Sequence, residues 1–345
     1  TLFRSASGRA RINRRETTMT ITITLTSPGA GLGVNFNKGL RTHFNGYEPF
    51  ELPIFMPEAG ETQQILHLDI PAEGQEADTR LVLLEGSDFV YTFSNHSVSG
   101  TIDTIRLGTL GAAWDEETGD LAVDDAGLVS DMGEYITLSG LNIVNPVGVK
   151  GEVHEIVRGM MGGSYEGGSV DPTPIFDVIW GEGHDVTGTS GDDRYAGSKV
   201  SDVVRGGAGD DVLKGRGGAD TIFGGAGDDR IIGGAGRDTM TGGTGADTFV
   251  FAAAKHAKGD VITDFLPRQG DVLTFRPMDA REDIDGNQRF TLIWDAEFSG
   301  RSGELRVWTR GGDTYVAGDT DGDGQLDFRL MLEGLPSLDA DDFIL

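Results

Sequence analysis

An aspartate recurs at every ninth position between residues 193 and 247: Asp193, Asp202, Asp211, Asp220, Asp229, Asp238 and Asp247. Two residues after each stands an apolar or aromatic side chain, in order Tyr195, Val204, Leu213, Ile222, Ile231, Met240 and Phe249. Glycines precede most of the aspartates, as in GGAGDD, GGAGRD and GGTGAD. A flexible glycine linker does not keep an apolar residue in register seven times, so the period points to a solenoid. The first six residues of a unit such as GGAGDDRII (224–232) suit a turn, because glycine opens backbone regions closed to other residues. The last three suit a short strand whose middle side chain points inward.

Turn, strand, turn, strand winds a coil with two units per circuit. Inward residues then divide between two walls, Tyr195, Leu213, Ile231 and Phe249 on one and Val204, Ile222 and Met240 on the other. Each circuit also stacks an aspartate over the one two units back, about 4.8 Å away, where like charges repel. A hard cation reverses the sign of that interaction. Calcium takes six to eight oxygens at about 2.3–2.6 Å and suits carboxylates mixed with carbonyls, whereas magnesium holds its waters in a strict octahedron. The expected metal-site residues are the seven aspartates with Gly207, Gly209, Gly225, Gly227, Gly234 and Gly236. The unit GTSGDDRYA (188–196) lacks the second glycine. The unit GSKVSDVVR (197–205) has Ser198 and Val200 in place of glycines, which breaks the pattern around Asp202.

These units resemble the RTX (repeats-in-toxin) family of calcium-binding β-rolls, most clearly over 206–247. The resemblance implies several calcium ions and a right-handed parallel β-roll at 188–250.

The formal net charge of −28 argues against nucleic acid or an anionic membrane as partner. Residues 1–18 are basic, with Arg4, Arg9, Arg11, Arg14 and Arg15 against Glu16, which leaves 23 basic and 55 acidic residues beyond them. Such a body repels itself until cations neutralise it, so calcium and folding should be linked. Cysteine is absent, which excludes disulfides and thiolate chemistry. No apolar run approaches the roughly 18 residues of a membrane helix. The basic start leads into MTITITLTSP, which alternates as a strand does and has no apolar signal core. Residues 1–18 read as a disordered or non-native leader.

Residues 251–345 read as a small all-β domain that extends and caps the coil. Its strand candidates include GDVITDF, GDVLTF, RFTLIW, GELRVW, DTYVAG and DFRLML. The segment resembles the C-terminal domain of the serralysin proteases in VITDF, FSGRSGELR and GDTDGDGQLDF, and the terminal DDFIL resembles the uncleaved export signal of that family. The resemblance implies export through a type I secretion apparatus and a secreted, extracellular protein. The acidic chain would stay loose where calcium is scarce and fold where it is abundant. Asp319, Asp321 and Asp323 have the spacing that opens an EF-hand loop, although its twelfth position holds Leu330 in place of glutamate. They are expected as an extra calcium site.

The specific activity should lie in 19–187. A zinc helix of the HExxH kind fails at His154-Glu155-Ile156-Val157-Arg158, because the guanidinium of Arg158 stands where the second histidine belongs. GxSxG and GxxxxGK[ST] are missing, and GAGLG (29–33) precedes no nucleotide-binding unit. The chain is expected to be non-enzymatic. Two blocks, SDFVYTFSNHSVSGTIDTIRLG (87–108) and LSGLNIVNPVGVKGEVHEIVRGMMGG (138–163), resemble the HasA-type haemophores, secreted α+β proteins that capture haem. The resemblance implies that Tyr91 binds haem iron and that His96 hydrogen-bonds it, with an outer-membrane receptor as further partner. Tyrosinate is a known axial haem ligand, and a histidine acceptor helps a phenol of pKa about 10 to bind as phenolate. The loop expected to carry a second ligand, GYEPFELPIFMPEAG, has no histidine; Met56, Tyr47 or the upstream His43 could serve, or the iron could keep one protein ligand. Phe89, Tyr91 and Phe93 also alternate as simple strand packing would have them. A second reading keeps the haemophore-like fold but gives it a non-haem partner, such as a surface or matrix component. A third, a hydrolase, has no motif in its favour.

Overall fold

The structure is a computed structural model that describes residues 20–345 apart from 28, 51–52, 57–61, 93, 117, 119, 130, 162–169, 282–284 and 336. The expected leader at 1–18 lies outside the described residues.

The alternation read in TITITL becomes the strand Thr20–Leu25, with Ile21, Ile23 and Leu25 buried and the threonines exposed. It is the hinge of the architecture. On one side it pairs antiparallel with Gly133–Asn145, followed in order by Ser97–Thr109, Arg80–Thr92, Thr62–Leu68 and Ile54–Met56. On the other side it pairs in parallel with Gly183–Thr187. Helices α1 (Phe36–Phe44), α2 (Glu152–Met160) and α3 (Thr173–Gly181) bury apolar faces in one core cluster with the inner sheet face. A second cluster of Leu66, Leu81, Leu83, Leu110, Ala113, Val129 and Met132 lies apart from it. This is the α+β unit expected for the N-terminal part. His154 and Arg158 both lie on α2.

Beyond Gly183–Thr187 the same sheet becomes one wall of a β-roll: Val203–Ala208, Thr221–Ala226 and Thr239–Thr244 add in parallel, each one coil further on. The other wall stacks Arg194–Ala196, Val212–Gly217, Arg230–Ala235 and Thr248–Val250. Tyr195, Leu213, Ile231 and Phe249 face Val204, Ile222 and Met240 across the interior, each at most 2% exposed. The division of inward residues between two walls is the one that two nine-residue units per circuit demand.

The walls do not stop at residue 250. Val261–Ile262 and Phe328–Leu332 continue the first, and Val272–Thr274 and Phe343–Ile344 continue the second. Asp313–Asp319 and Glu304–Arg310 then turn the first wall antiparallel, and Thr291–Trp294 closes its edge. The C-terminal part is therefore all-β and extends the coil, with Phe251, Phe275, Phe290 and Phe328 in ring contact at its centre. Phe343 of the terminal DDFIL is buried as a wall residue, whereas Ile344 is exposed. One sheet of 15 strands runs through all three parts.

The coils stack closely because glycines let them. Gly225 sits at φ +120°, and a Cβ there would collide with the Gly207 carbonyl of the preceding coil. Gly225→Ala should destabilise the calcium-loaded roll by at least about 1–2 kcal/mol, since a left-handed alanine is strained before any collision is counted. Thermal unfolding in saturating calcium checks this, and Ala226→Gly beside it should cost less.

Candidate metal ladder and tyrosine–histidine pair

Each aspartate of the ladder begins a strand, so its side chain is held under the turn that precedes it. Seven such aspartates from Asp193 to Asp247 are at most 1% exposed. One carboxylate oxygen, Oδ1, accepts the backbone N–H of the aspartate one coil earlier. Asp211 accepts from Asp193 at 2.7 Å, Asp220 from Asp202 at 2.8 Å, Asp229 from Asp211 at 2.9 Å, and Asp238 and Asp247 continue the chain. The other oxygen, Oδ2, has no hydrogen-bond partner in Asp211, Asp220, Asp229, Asp238 and Asp247.

Those oxygens face a cradle. A Cβ placed on Gly206, the first residue of its unit, would meet Asp211 Oδ2 and lie 2.5 Å from the Gly224 carbonyl of the next coil. Gly215 has the same relation to Asp220 Oδ2 and the Gly233 carbonyl, and Gly224 to Asp229 Oδ2 and the Gly242 carbonyl. The space that a missing Cβ leaves is thus shared by a carboxylate oxygen and a carbonyl oxygen at close to calcium–oxygen distance. The donor set fits a hard divalent cation. The expected glycines Gly207, Gly209, Gly225, Gly227, Gly234 and Gly236 all have positive φ, between 104° and 152°, and let successive turns touch.

Two of the seven aspartates have additional donors from the protein. Asp193 accepts N–H groups from Val34 and, at 2.5 Å, Thr189. Asp202 accepts from the His184 and Ser198 N–H groups at 2.8 Å and from Ser198 Oγ at 3.1 Å. Both oxygens of these two carboxylates thus have protein donors, while Gly188 and Gly197 set their Oδ2 atoms against the Gly206 and Gly215 carbonyls as in the later units. Conversely, two rungs escaped the period. Asp260 accepts the N–H of Asp238 at 3.0 Å and leaves Oδ2 without a partner, and Asp271 accepts the N–H of Asp247 at 3.1 Å. Spacings of 22 and 24 residues replace 18, because short 3-10 turns at Ala254–His256 and Pro267–Gln269 bulge from the coil. The signal was present as Gly-Asp-Val before each wall strand. Asp264 adds a further carboxylate that caps the Gly242 and Gly243 N–H groups at 2.8 Å.

Burial, followed by repulsion from neighbouring aspartates, pushes Asp211, Asp220 and Asp229 up to about 7, Asp247 to about 6 and Asp260 to about 8. Burial raises Asp238 and Asp271 as well. Free carboxylates titrate near 3.8. The protonated, metal-free roll is therefore most stable below pH 4 and loses that stability as pH rises through 6 to 8.

The C-terminal acidic loop forms a smaller cluster. Asp319, Asp321 and Asp327 bring oxygens within 4.8 Å of one another. The third carboxylate is Asp327, not the expected Asp323, whose oxygens accept from Gln325 N–H at 2.7 Å and Gln325 Nε2 at 2.8 Å. The loop closes on itself, with Asp319 accepting from Gly322 and Gly324 and Asp327 from Thr320. Leu330, at the twelfth EF-hand position, is a buried wall residue.

At the far end of the N-terminal sheet, Tyr91 and His96 flank the turn between Arg80–Thr92 and Ser97–Thr109. A bulge at Asp88 (φ 56°) opposite Gly100 shifts the strand register just before Tyr91. The Tyr91 hydroxyl and His96 Nδ1 lie 2.6 Å apart, and His96 is exposed with φ 51°. Asn95 ties the turn to the following loop through Gly148 O at 2.7 Å. Of the residues considered as a second ligand, Tyr47 is buried and donates to the His67 carbonyl at 2.7 Å, and His43 is a buried residue of α1. Met56 packs on the second core cluster, whereas Tyr91 packs on the first. Residues 57–61 of the loop lie outside the described residues. His154 is occupied as well, its Nδ1 accepting the Val98 N–H at 3.4 Å, and Arg158 pairs with Glu155 at 3.7 Å.

Turns that set orphaned carboxylate oxygens against carbonyls define a divalent-cation-binding β-roll. Residues 187–222 and 214–249 match the model of the RTX calcium-binding nonapeptide repeat, and that segment is built of RTX repeats. Among solved structures, the AlgE6R2 subunit of the Azotobacter vinelandii mannuronan C5-epimerase is 30% identical over 44% of this chain and 91% of its own, with a TM-score of 0.34. The apo haemophore HasA from Yersinia pestis is 20% identical over 46% of this chain and 86% of its own, with a TM-score of 0.30. No curated protein matches the chain. No helix among the described residues is long and apolar enough to cross a membrane.

If calcium displaces protons from these carboxylates, its binding at pH 6.5 should release them and at pH 9 should not. Calorimetry in buffers of different ionisation enthalpy should show buffer-dependent heats only at the lower pH. Equal heats in all buffers at pH 6.5 would contradict the assignment.

Proposed function

We propose that this is a secreted calcium-binding protein, exported by a type I apparatus, whose N-terminal unit captures haem. Tyr91 is the iron ligand in this reading and His96 its proton acceptor. The observation that carries it is the 2.6 Å contact between Tyr91 Oη and His96 Nδ1 in an open turn. A base at that distance helps a phenol to bind iron(III) as phenolate near neutral pH. Support also comes from the resemblance of 87–108 and 138–163 to haemophore sequence. The ladder gives the carrier its trigger: low calcium leaves the acidic roll open for export, and high calcium closes it.

Tyr91 would hold the iron, and His96 would hold the phenolic proton at Nδ1 and orient the ring. Bound haem would supply the visible absorption by which the site is read. Adding haemin to the full chain in calcium should produce a shifted Soret band that Tyr91→Ala abolishes. His96→Ala should weaken binding by roughly 10-fold or more, the usual effect of removing a residue that supports a metal ligand. Identical spectra for the wild type and Tyr91→Ala would remove the haem reading and favour a non-haem partner for this unit.

A further inference from the structure

We infer that the first coil of the roll, residues 183–205, is a metal-independent seed, built by the N-terminal unit, on which the calcium-dependent coils close. This goes beyond the haem and calcium readings, because it assigns different rungs of one ladder to different chemistry.

The second residue of each unit decides which kind of rung follows. In five units it has positive φ: Gly207 at 112°, Arg216 at 76°, Gly225 at 120°, Gly234 at 104° and Gly243 at 107°. The aspartates of those five units are the ones with an orphaned Oδ2. In the first two units the second residue is Thr189 or Ser198, and neither has positive φ. Each instead donates its own N–H to its unit's aspartate, at 2.5 Å to Asp193 and 2.8 Å to Asp202. A side chain at this position disfavours the left-handed region. The same backbone choice thus supplies a protein donor where the other units leave an oxygen for a cation.

The N-terminal unit completes the first coil. The Val34 N–H donates to Asp193, and the Val34 carbonyl accepts from Arg194 at 2.9 Å. Asn37 bonds both backbone groups of Ala196, at 2.8 and 3.0 Å. His184 joins Tyr195 Oη, at 2.5 Å, to the Ile179 carbonyl, at 2.8 Å. Arg216 reaches back to the Gly197 carbonyl at 2.9 Å, with its guanidinium over the Trp180 ring at 5.6 Å. A fixed side-chain cation therefore stands on a first-position carbonyl. Gly183–Thr187, already paired to Thr20–Leu25, presents the edge to which Val203–Ala208 adds. A strand edge held by the folded N-terminal unit is a template, and ordering later coils on it avoids the unfavourable first step of a free solenoid.

Hydrogen exchange with mass spectrometry on the full chain, in EGTA and in calcium at neutral pH, tests this. In EGTA, peptides from 188–205 should keep protection within ~10-fold of the calcium form, while peptides from 224–250 lose ~100-fold or more. Uniform exchange along the roll in EGTA, whether fast or slow, overturns the inference. The double variant Thr189→Gly, Ser198→Gly gives a second arm. Its 188–205 segment should lose protection in EGTA and regain it in calcium; protection unchanged in EGTA would overturn the role of the second position.

Discussion

A carboxylate oxygen sealed from water without a hydrogen bond is unfavourable to create, and this roll creates six along its axis, from Asp211 to Asp260. An unsatisfied buried polar group costs about 1–3 kcal/mol, and more when it is charged. Six together rival the roughly 5–15 kcal/mol by which a whole domain is stable. The apolar interior from Leu213 to Phe249 cannot be closed at neutral pH without answering that cost. Protons answer it in acid, and calcium answers it at neutral pH. The ladder is thus both the feature that shapes the roll and the feature that makes its folding conditional.

That conditional part is joined to a part with ordinary means of support. The N-terminal unit buries aliphatic side chains between helices and sheet and pairs charged groups with protein partners. Arg80 is an example, since it clamps Asp69 and also bonds the carbonyls at the end of α1, with its guanidinium over Tyr47. The two regimes share one sheet through Thr20–Leu25 and Gly183–Thr187, so no loose linker separates them. Buried His43 and His67, both lowered to about 3 chiefly by burial, make the N-terminal unit sensitive to acid, opposite in sign to the metal-free roll.

Much of this was legible because the roll is periodic. A nine-residue repeat fixes which aspartates stack and which side chains meet, without any knowledge of the rest of the chain. Asp260 and Asp271 were missed because inserted turns break the period while preserving the coil. The distinction between Asp193 or Asp202 and the later rungs rests on one backbone angle at the second position, which composition only hints at through Thr189 and Ser198. Arg216 shows the limit of such hints, since it takes the left-handed angle that glycine would. In the acidic loop, local spacing pointed to Asp323, but the returning chain brings Asp327 there instead. The Tyr91–His96 pair was accessible because its partners lie five residues apart across a single turn. The environments of Tyr47 and Met56 were not legible in the sequence, since the burial of one and the packing of the other depend on the whole sheet.

The most direct test is a calcium titration of the full chain at pH 7.5 and low ionic strength, followed by far-ultraviolet circular dichroism and compared with sodium chloride at matched ionic strength. Calcium should bring a cooperative gain of strand signal and sodium little, because screening cannot supply a ligand to a buried oxygen. A roll already fully ordered in excess EGTA, gaining nothing from calcium, would contradict it.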